Sequence, residues 1–206
     1  DEAISYMKER AGINTPKAAL ARFAEEILLQ AGRRAEAYER HAIDANQANS
    51  RLATYRALAR KYPEIHPDRM LGDLIASAPG NEGKWFATAK SLKRLDLAMK
   101  LAWRSPCDPK TLTRAARDFL TDDPAFATEV ALAALHWISE GHGYDLIGLD
   151  VQDPYRYAQE GAQSLGQEER VALRLRPILT GDSPTRRWMR QMLGLSDPTA
   201  PPMETR

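Results

Sequence analysis

An all-α fold of stacked antiparallel helix pairs is predicted for this 206-residue chain. Three observations predict it. Hydroxyl or carboxylate residues recur directly before proline, which is a helix-start signal. Single glycines recur at intervals after these starts, which is a helix-stop signal. Apolar residues repeat at helical spacing, and no sustained alternation rich in β-branched side chains marks a strand.

The starts are Thr15-Pro16, Asp108-Pro109, Asp123-Pro124, Asp153-Pro154 and Ser183-Pro184. The first residue's side-chain oxygen accepts hydrogen bonds from the orphan amides of a helix N-terminus. Proline next in line has a suitable φ, and the N–H it lacks was an unpaired donor anyway. Pro67 fits the same position, with Asp68 in the first turn. Stops are supplied by Gly32, Gly80, Gly141, Gly166, Gly181 and Gly194.

In order, helices are predicted over 2–10, 16–31, 33–48, 50–62, 67–77, 81–91, 94–105, 109–121, 124–140, 154–165, 167–180 and 184–193. Within 50–62, Leu52, Tyr55, Ala59 and Tyr62 form one apolar stripe, with Arg51, Arg56 and Arg60 off it. Within 109–121 the stripe is Leu112, Ala115, Ala116, Phe119 and Leu120. The helix after Pro124 is apolar nearly all round, from Phe126 through Val130 and Leu135 to Ile138, which predicts burial between neighbours. Residues 1–197 are predicted to form a single helical-repeat domain, with 198–206 a disordered Pro-rich tail.

A compact chain of this size buries roughly 70% of its unfolded surface, so it needs no disulfide or metal to hold together. Cys107 stands alone, which excludes an internal disulfide and a cysteine-rich zinc site. A reducing, cytoplasmic setting is the simplest expectation. The longest apolar run, Val130 to Leu135, is far too short to span a bilayer, so no membrane partner is expected. No signal peptide opens the chain, and its start at Asp1 rather than Met points to a fragment.

The segment Ala31-Gly32-Arg33-Arg34-Ala35-Glu36-Ala37-Tyr38 resembles the turn and second helix of a tetratricopeptide repeat. In that family a glycine closes the first helix, and a small residue about five positions on lets the second pack closely; Gly32 and Ala37 match, and Ala42 and Ala45 continue the small face. Leu95 through Ala102 is a weaker echo. Ala37 and Ala98 are 61 residues apart, not a multiple of the usual ~34, so any repeats are irregular. The resemblance implies a curved α-solenoid and a binding role. More loosely, Gly83-Lys84-Trp85-Phe86, Ser105 to Pro109, and Trp137 through Tyr144 are similar to the helical region of uncharacterised bacterial proteins that carry a SWIM-type zinc finger. The finger's ligands are absent here, so no zinc role transfers.

Candidate chemistry is sparse. His136 and Glu140, spaced i, i+4, share a helix face, with His142 and Asp145 just beyond Gly141. This could form a nitrogen–oxygen metal site, but it matches no motif with known mechanics, and a solvated helix end accounts for it. Cys107 precedes a helix start, where the dipole would lower a thiol pKa and favour a nucleophile, but nothing in the sequence pairs a histidine with it, and a buried or inert cysteine is the common case. Gly80-Asn81-Glu82-Gly83-Lys84 lacks the spacing and the hydroxyl of a phosphate loop and reads as a turn. The pairs Asp122-Asp123 and Glu168-Glu169 sit at helix starts and read as caps.

The charge map is the clearest functional lead. Lys84 to Arg117 holds nine basic residues against Asp96 and Asp108, a local net charge of +7. Asp118 to Glu160 reverses it, nine acids facing only Arg156 for −8. Lys110, Arg114 and Arg117 follow i, i+4, i+7 and form one stripe. Two readings compete. Lys84, Lys93, Arg94, Lys110, Arg114 and Arg117 form a face for nucleic acid or another acidic partner, or the adjacent segments neutralise one another in surface ion pairs worth ~0–1 kcal/mol each. Trp85 and Trp103 lie in the basic region and are expected in the core rather than as base-stacking platforms.

A stack of helix pairs leaves a long concave surface. The expected function is therefore non-catalytic: a protein–protein interaction or scaffolding module taking a protein or peptide partner, without a cofactor. The alternative is a nucleic-acid-associated accessory domain using the 84–117 region. The sequence leaves the partner's identity and the oligomeric state open.

Overall fold

The computed structural model describes residues 16–195, together with Glu2 and Ser5. Apart from those two residues, the helix expected over 2–10 lies outside the described residues, as do Thr15 and the Pro-rich tail over 198–206. The fold is all-α, with no strand among the described residues. Within the span expected as one domain, packing gathers into two compact units, Asp1–Pro79 and Gly80–Arg206.

In the first unit, α1 (Lys17–Gln30) ends at Gly32, whose φ of 73° suits glycine. Arg33 N–H donates back to the Leu28 carbonyl at 2.8 Å, which closes the helix. The next helix runs as α2 (Arg34–Ala37), widens into a π turn over Tyr38–Ala42, and resumes as α3 (Ile43–Ala45). Ala37 is wholly buried, as is Leu28, and with Ala24 they form a small core. The helix α4 (Arg51–Lys61) starts at Ser50, whose hydroxyl accepts from Ala53 N–H at 3.1 Å. Pro67 opens α5 (Pro67–Ala76), as its position predicts.

This unit is held by a buried polar network. The Glu25 carboxylate is fully buried. It accepts from Asn46 Nδ2 at 2.7 Å, Lys61 Nζ at 2.6 Å and the Tyr62 hydroxyl at 2.6 Å. One side chain of α1 thereby ties down the ends of the two helices that follow. The Tyr38 hydroxyl donates to Asp73 at 2.8 Å, and its ring meets Tyr62 edge-on with centroids 5.3 Å apart.

The second unit opens on a 3₁₀ turn, Glu82–Trp85, that runs into α6 (Phe86–Ser91), where the sequence predicts one helix. The helices α7 (Leu95–Arg104), α8 (Pro109–Phe119), α9 (Pro124–Ser139), α10 (Gly148–Leu165), α11 (Glu168–Leu179) and α12 (Pro184–Met192) follow. Asp108, Asp123 and Ser183 cap their helices as predicted, accepting from the N–H of Thr111, Phe126 and Arg186 at 2.9, 2.9 and 3.2 Å. Asp153-Pro154 does not start a helix. There α10 begins at Gly148, because the Asp150 carboxylate accepts the Ile147 N–H at 2.8 Å and fixes an earlier first turn. Pro154 is buried inside that helix, its ring packed where it can donate no backbone bond.

As the apolar run predicts, α9 is buried nearly all round, from Phe126 to Ser139. It touches α7, α8, α10, α11 and α12. Its Trp137 Nε1 donates to the Ala102 carbonyl at 2.7 Å, which pins it to α7. Trp85 is buried in the core; Trp103 is half-buried and stands at a cavity wall.

Candidate functional site

The predicted basic stripe forms. Asp108 and Pro109 start α8, and helical spacing puts Lys110, Arg114 and Arg117 along one face. Together with Asp150, Asp153 and Tyr157 of α10, they surround a shallow recess of about 240 Å³. Carboxylates meet the cations there. Lys110 Nζ lies 3.5 Å from Asp150 Oδ2 and donates to the Asp145 carbonyl at 3.0 Å. Arg117 pairs with Asp118 at 2.8 Å. Arg114 donates to the Lys110 carbonyl and the Thr111 hydroxyl, both at 3.2 Å. Lys84, Lys93 and Arg94 are exposed but do not line this recess. Lys93 ends α6 with a φ of 58°, in the left-handed region that glycine usually fills.

The His136 cluster takes a different form from a metal site. No group of three His, Cys, Asp or Glu side chains able to hold a metal occurs among the described residues. His136 and Glu140 do share a face, but Glu140 accepts from Arg186 Nη2 at 2.6 Å. The His136 ring lies against Trp103 and Trp137, with centroids 5.4 and 4.7 Å apart, and His142 packs on Trp137. Burial holds the His136 imidazole below its ordinary value; Glu140 opposes this, and Arg186 and His142 reinforce it. Trp103, His136, Glu140 and Arg186, with Arg174, Pro177 and Ile178, wall a recess of about 410 Å³. Arg174 makes a two-pronged pair with Glu129 and lies over the Trp103 ring at 5.3 Å.

Cys107 takes the buried form rather than that of an activated nucleophile. The thiol is buried, and burial first, then the Asp108 charge, push it up to about 12. Desolvation outweighs the helix terminus, so the thiolate is disfavoured. The Gly80–Lys84 segment is a turn, as read: Gly83 packs on the Ser105 and Pro106 backbone, and its N–H donates to the Ser105 hydroxyl at 2.8 Å.

A further cavity lies outside the residues singled out from sequence. A groove of about 690 Å³ runs along α10, α11 and the end of α12. Ala162, Val171, Leu175 and Leu179 supply apolar walls, and Gln159, Gln163 and Arg176 supply polar ones. Arg190, itself buried, donates to the Leu179 and Gly181 carbonyls at 2.8 and 2.9 Å and braces the end of α11. One helix serves both cavities. Val171, Leu175 and Leu179 of α11 face the groove, while Arg174, Pro177 and Ile178 face the His136 recess. That two faces of α11 look into different cavities is a property of the tertiary fold. Arg174 and Arg186 were missed because only the tertiary fold brings them to His136.

No helix among the described residues is long and apolar enough to cross a membrane. Comparison of the chain with family models, with curated proteins and with solved structures finds no match.

Proposed function

We propose that this chain is a non-catalytic binding module whose α10–α11–α12 groove receives the apolar face of a partner's amphipathic helix. One observation carries the reading: an open trough of about 690 Å³, apolar along Ala162, Val171, Leu175 and Leu179 and edged by Gln159, Gln163 and Arg176. A helix laid in such a groove buries side chains at i, i+3, i+4 and i+7 while its polar face stays wet. Each large apolar anchor that becomes fully buried contributes roughly 1.5–3 kcal/mol. The groove is lined by both Arg176 and Glu168, so its polar edge suits a helix whose polar face carries both signs of charge.

The test is site-specific photo-crosslinking. A benzophenone side chain at the exposed rim position Gln159 should capture a helical partner, and Ala172→Arg, which fills the groove from an exposed position, should abolish capture without altering the fold. Equal capture from exposed Arg156, which does not line the groove, or capture indifferent to Ala172→Arg, would remove the reading. The same experiment with a nucleic-acid probe addresses the basic stripe. Binding that weakens steeply with salt, and is lost on changing Lys110, Arg114 and Arg117 to Glu, would favour the nucleic-acid alternative instead.

A further inference from the structure

The recess beside His136 has a chemistry of its own. It lies on the other face of α11 from the groove, so it can be filled or blocked independently. Its volume of about 410 Å³ falls in the range of small-molecule sites. Trp103, Pro177 and Ile178 give it apolar surface, and Arg186 gives it a guanidinium.

That guanidinium is half used. A carboxylate can take two parallel N–H bonds from an arginine fork. Glu140 is held by Nη2 of Arg186 alone, at 2.6 Å. Arg186 Nε is shut off from solvent and meets no acceptor among the described residues. Trp103 also lines the recess, and its Nε1 is likewise shut off and without an acceptor among the described residues. A buried donor left unmet is costly, so both favour an arriving acceptor.

The present occupant of Arg186 can leave. The Glu140 side chain is 43% exposed and sits at the end of α9, whereas the Arg186 side chain is 26% exposed. Exchange of Glu140 for another carboxylate leaves the charge on Arg186 balanced, and Glu140 returns to water. A phosphate is less suited. Arg174 is already committed to Glu129 by two bonds, so a dianion would face two nearby carboxylates with one available fork.

We propose that this recess binds a small organic carboxylate, its apolar body against Trp103 and Ile178 and its carboxylate on the Nε–Nη2 fork of Arg186 in place of Glu140. Glu140 is then a built-in competitor that sets the affinity.

The test titrates benzoate and hexanoate into the full chain and follows the Trp103 indole N–H and the Arg186 Nε–H by NMR, the indole assigned with Trp103→Phe. Both signals should shift, and benzamide and inorganic phosphate should leave them in place. Glu140→Gln should tighten benzoate about tenfold, the equivalent of removing one charge-assisted competitor. Arg186→Gln should abolish the shift. Arg186→Lys, which keeps the charge and loses the fork, should weaken binding if the first variant unfolds. The groove-filling Ala172→Arg should bind benzoate normally, which separates this site from the helix-binding groove. Absence of any shift up to the solubility limit overturns the proposal. So do equal shifts from benzamide, binding by phosphate alone, or a benzoate response unchanged in Glu140→Gln or in both Arg186 variants.

Discussion

Gly161 of α10 stands directly against the side chain of Thr128 on α9. A β-carbon built at Gly161 would collide with the Thr128 hydroxyl oxygen and come within 3.1 Å of the Pro124 carbonyl. That hydroxyl is itself engaged, donating to the Pro124 carbonyl at 2.7 Å.

This contact reverses the usual sign of a helix substitution. In a free helix, Gly to Ala gains about 1 kcal/mol. Gly161→Ala should instead lower the stability of the second unit by on the order of 1–3 kcal/mol through overpacking. The double variant Gly161→Ala with Thr128→Ala, which removes the obstructing hydroxyl, should recover much of the loss. Urea titrations of both variants beside the parent chain measure it; an unchanged or raised midpoint for Gly161→Ala would mean that the helices are not in close contact here.

Lys93 offers the opposite experiment. It closes α6 by the wrapped turn that glycine makes elsewhere, with its N–H bonded to the Lys90 carbonyl at 3.0 Å and Arg94 N–H to the Ala89 carbonyl at 3.0 Å. A lysine held at a φ of 58° costs roughly 1 kcal/mol relative to glycine. Lys93→Gly should therefore stabilise the unit, the relief exceeding glycine's greater entropy when unfolded. A fall in the urea midpoint would show that the lysine side chain contributes more than its backbone strain costs.

The tyrosines of the first unit predict an alkaline limit. Burial, and next the hydrogen bonds to Asp73 and Glu25, hold the Tyr38 and Tyr62 phenols well above the ordinary value near 10. The folded state therefore keeps these protons at pH values where the unfolded chain has lost them. Stability from this source is complete below about pH 10 and falls as pH rises beyond it. Tyr62→Phe should be less stable at neutral pH, because Glu25 loses a donor, yet should lose less stability between pH 9 and 11. Equal slopes for the two proteins would show that Tyr62 does not set the limit.

Much of the helix punctuation was legible because it is local. Asp108, Asp123 and Ser183 cap through their own side chains, and the six predicted glycine stops all have positive φ. Pro154 misled because a stronger local start lies upstream, where Asp150 reaches back to Ile147. The left-handed backbone at Lys93 was not legible, because nothing in a lysine announces it. The basic stripe was visible, but its facing carboxylate Asp150 lies 40 residues from Lys110 in sequence. The two cavities were invisible for the same reason: their walls come from helices whose pairing no single sequence states. For Cys107 the relevant effect was burial, which depends on packing and not on the adjacent helix start.

The many-sided burial of α9 bears on how the second unit comes apart. In a linear array each repeat touches only its neighbours, and the ends can fray while the middle persists. Here five helices share one central member, so detaching any of them uncovers apolar surface that the others cannot reclaim. Residues 80–195 should consequently melt all-or-none, and the slowest-exchanging amides of α9 should report the global unfolding free energy rather than a local opening.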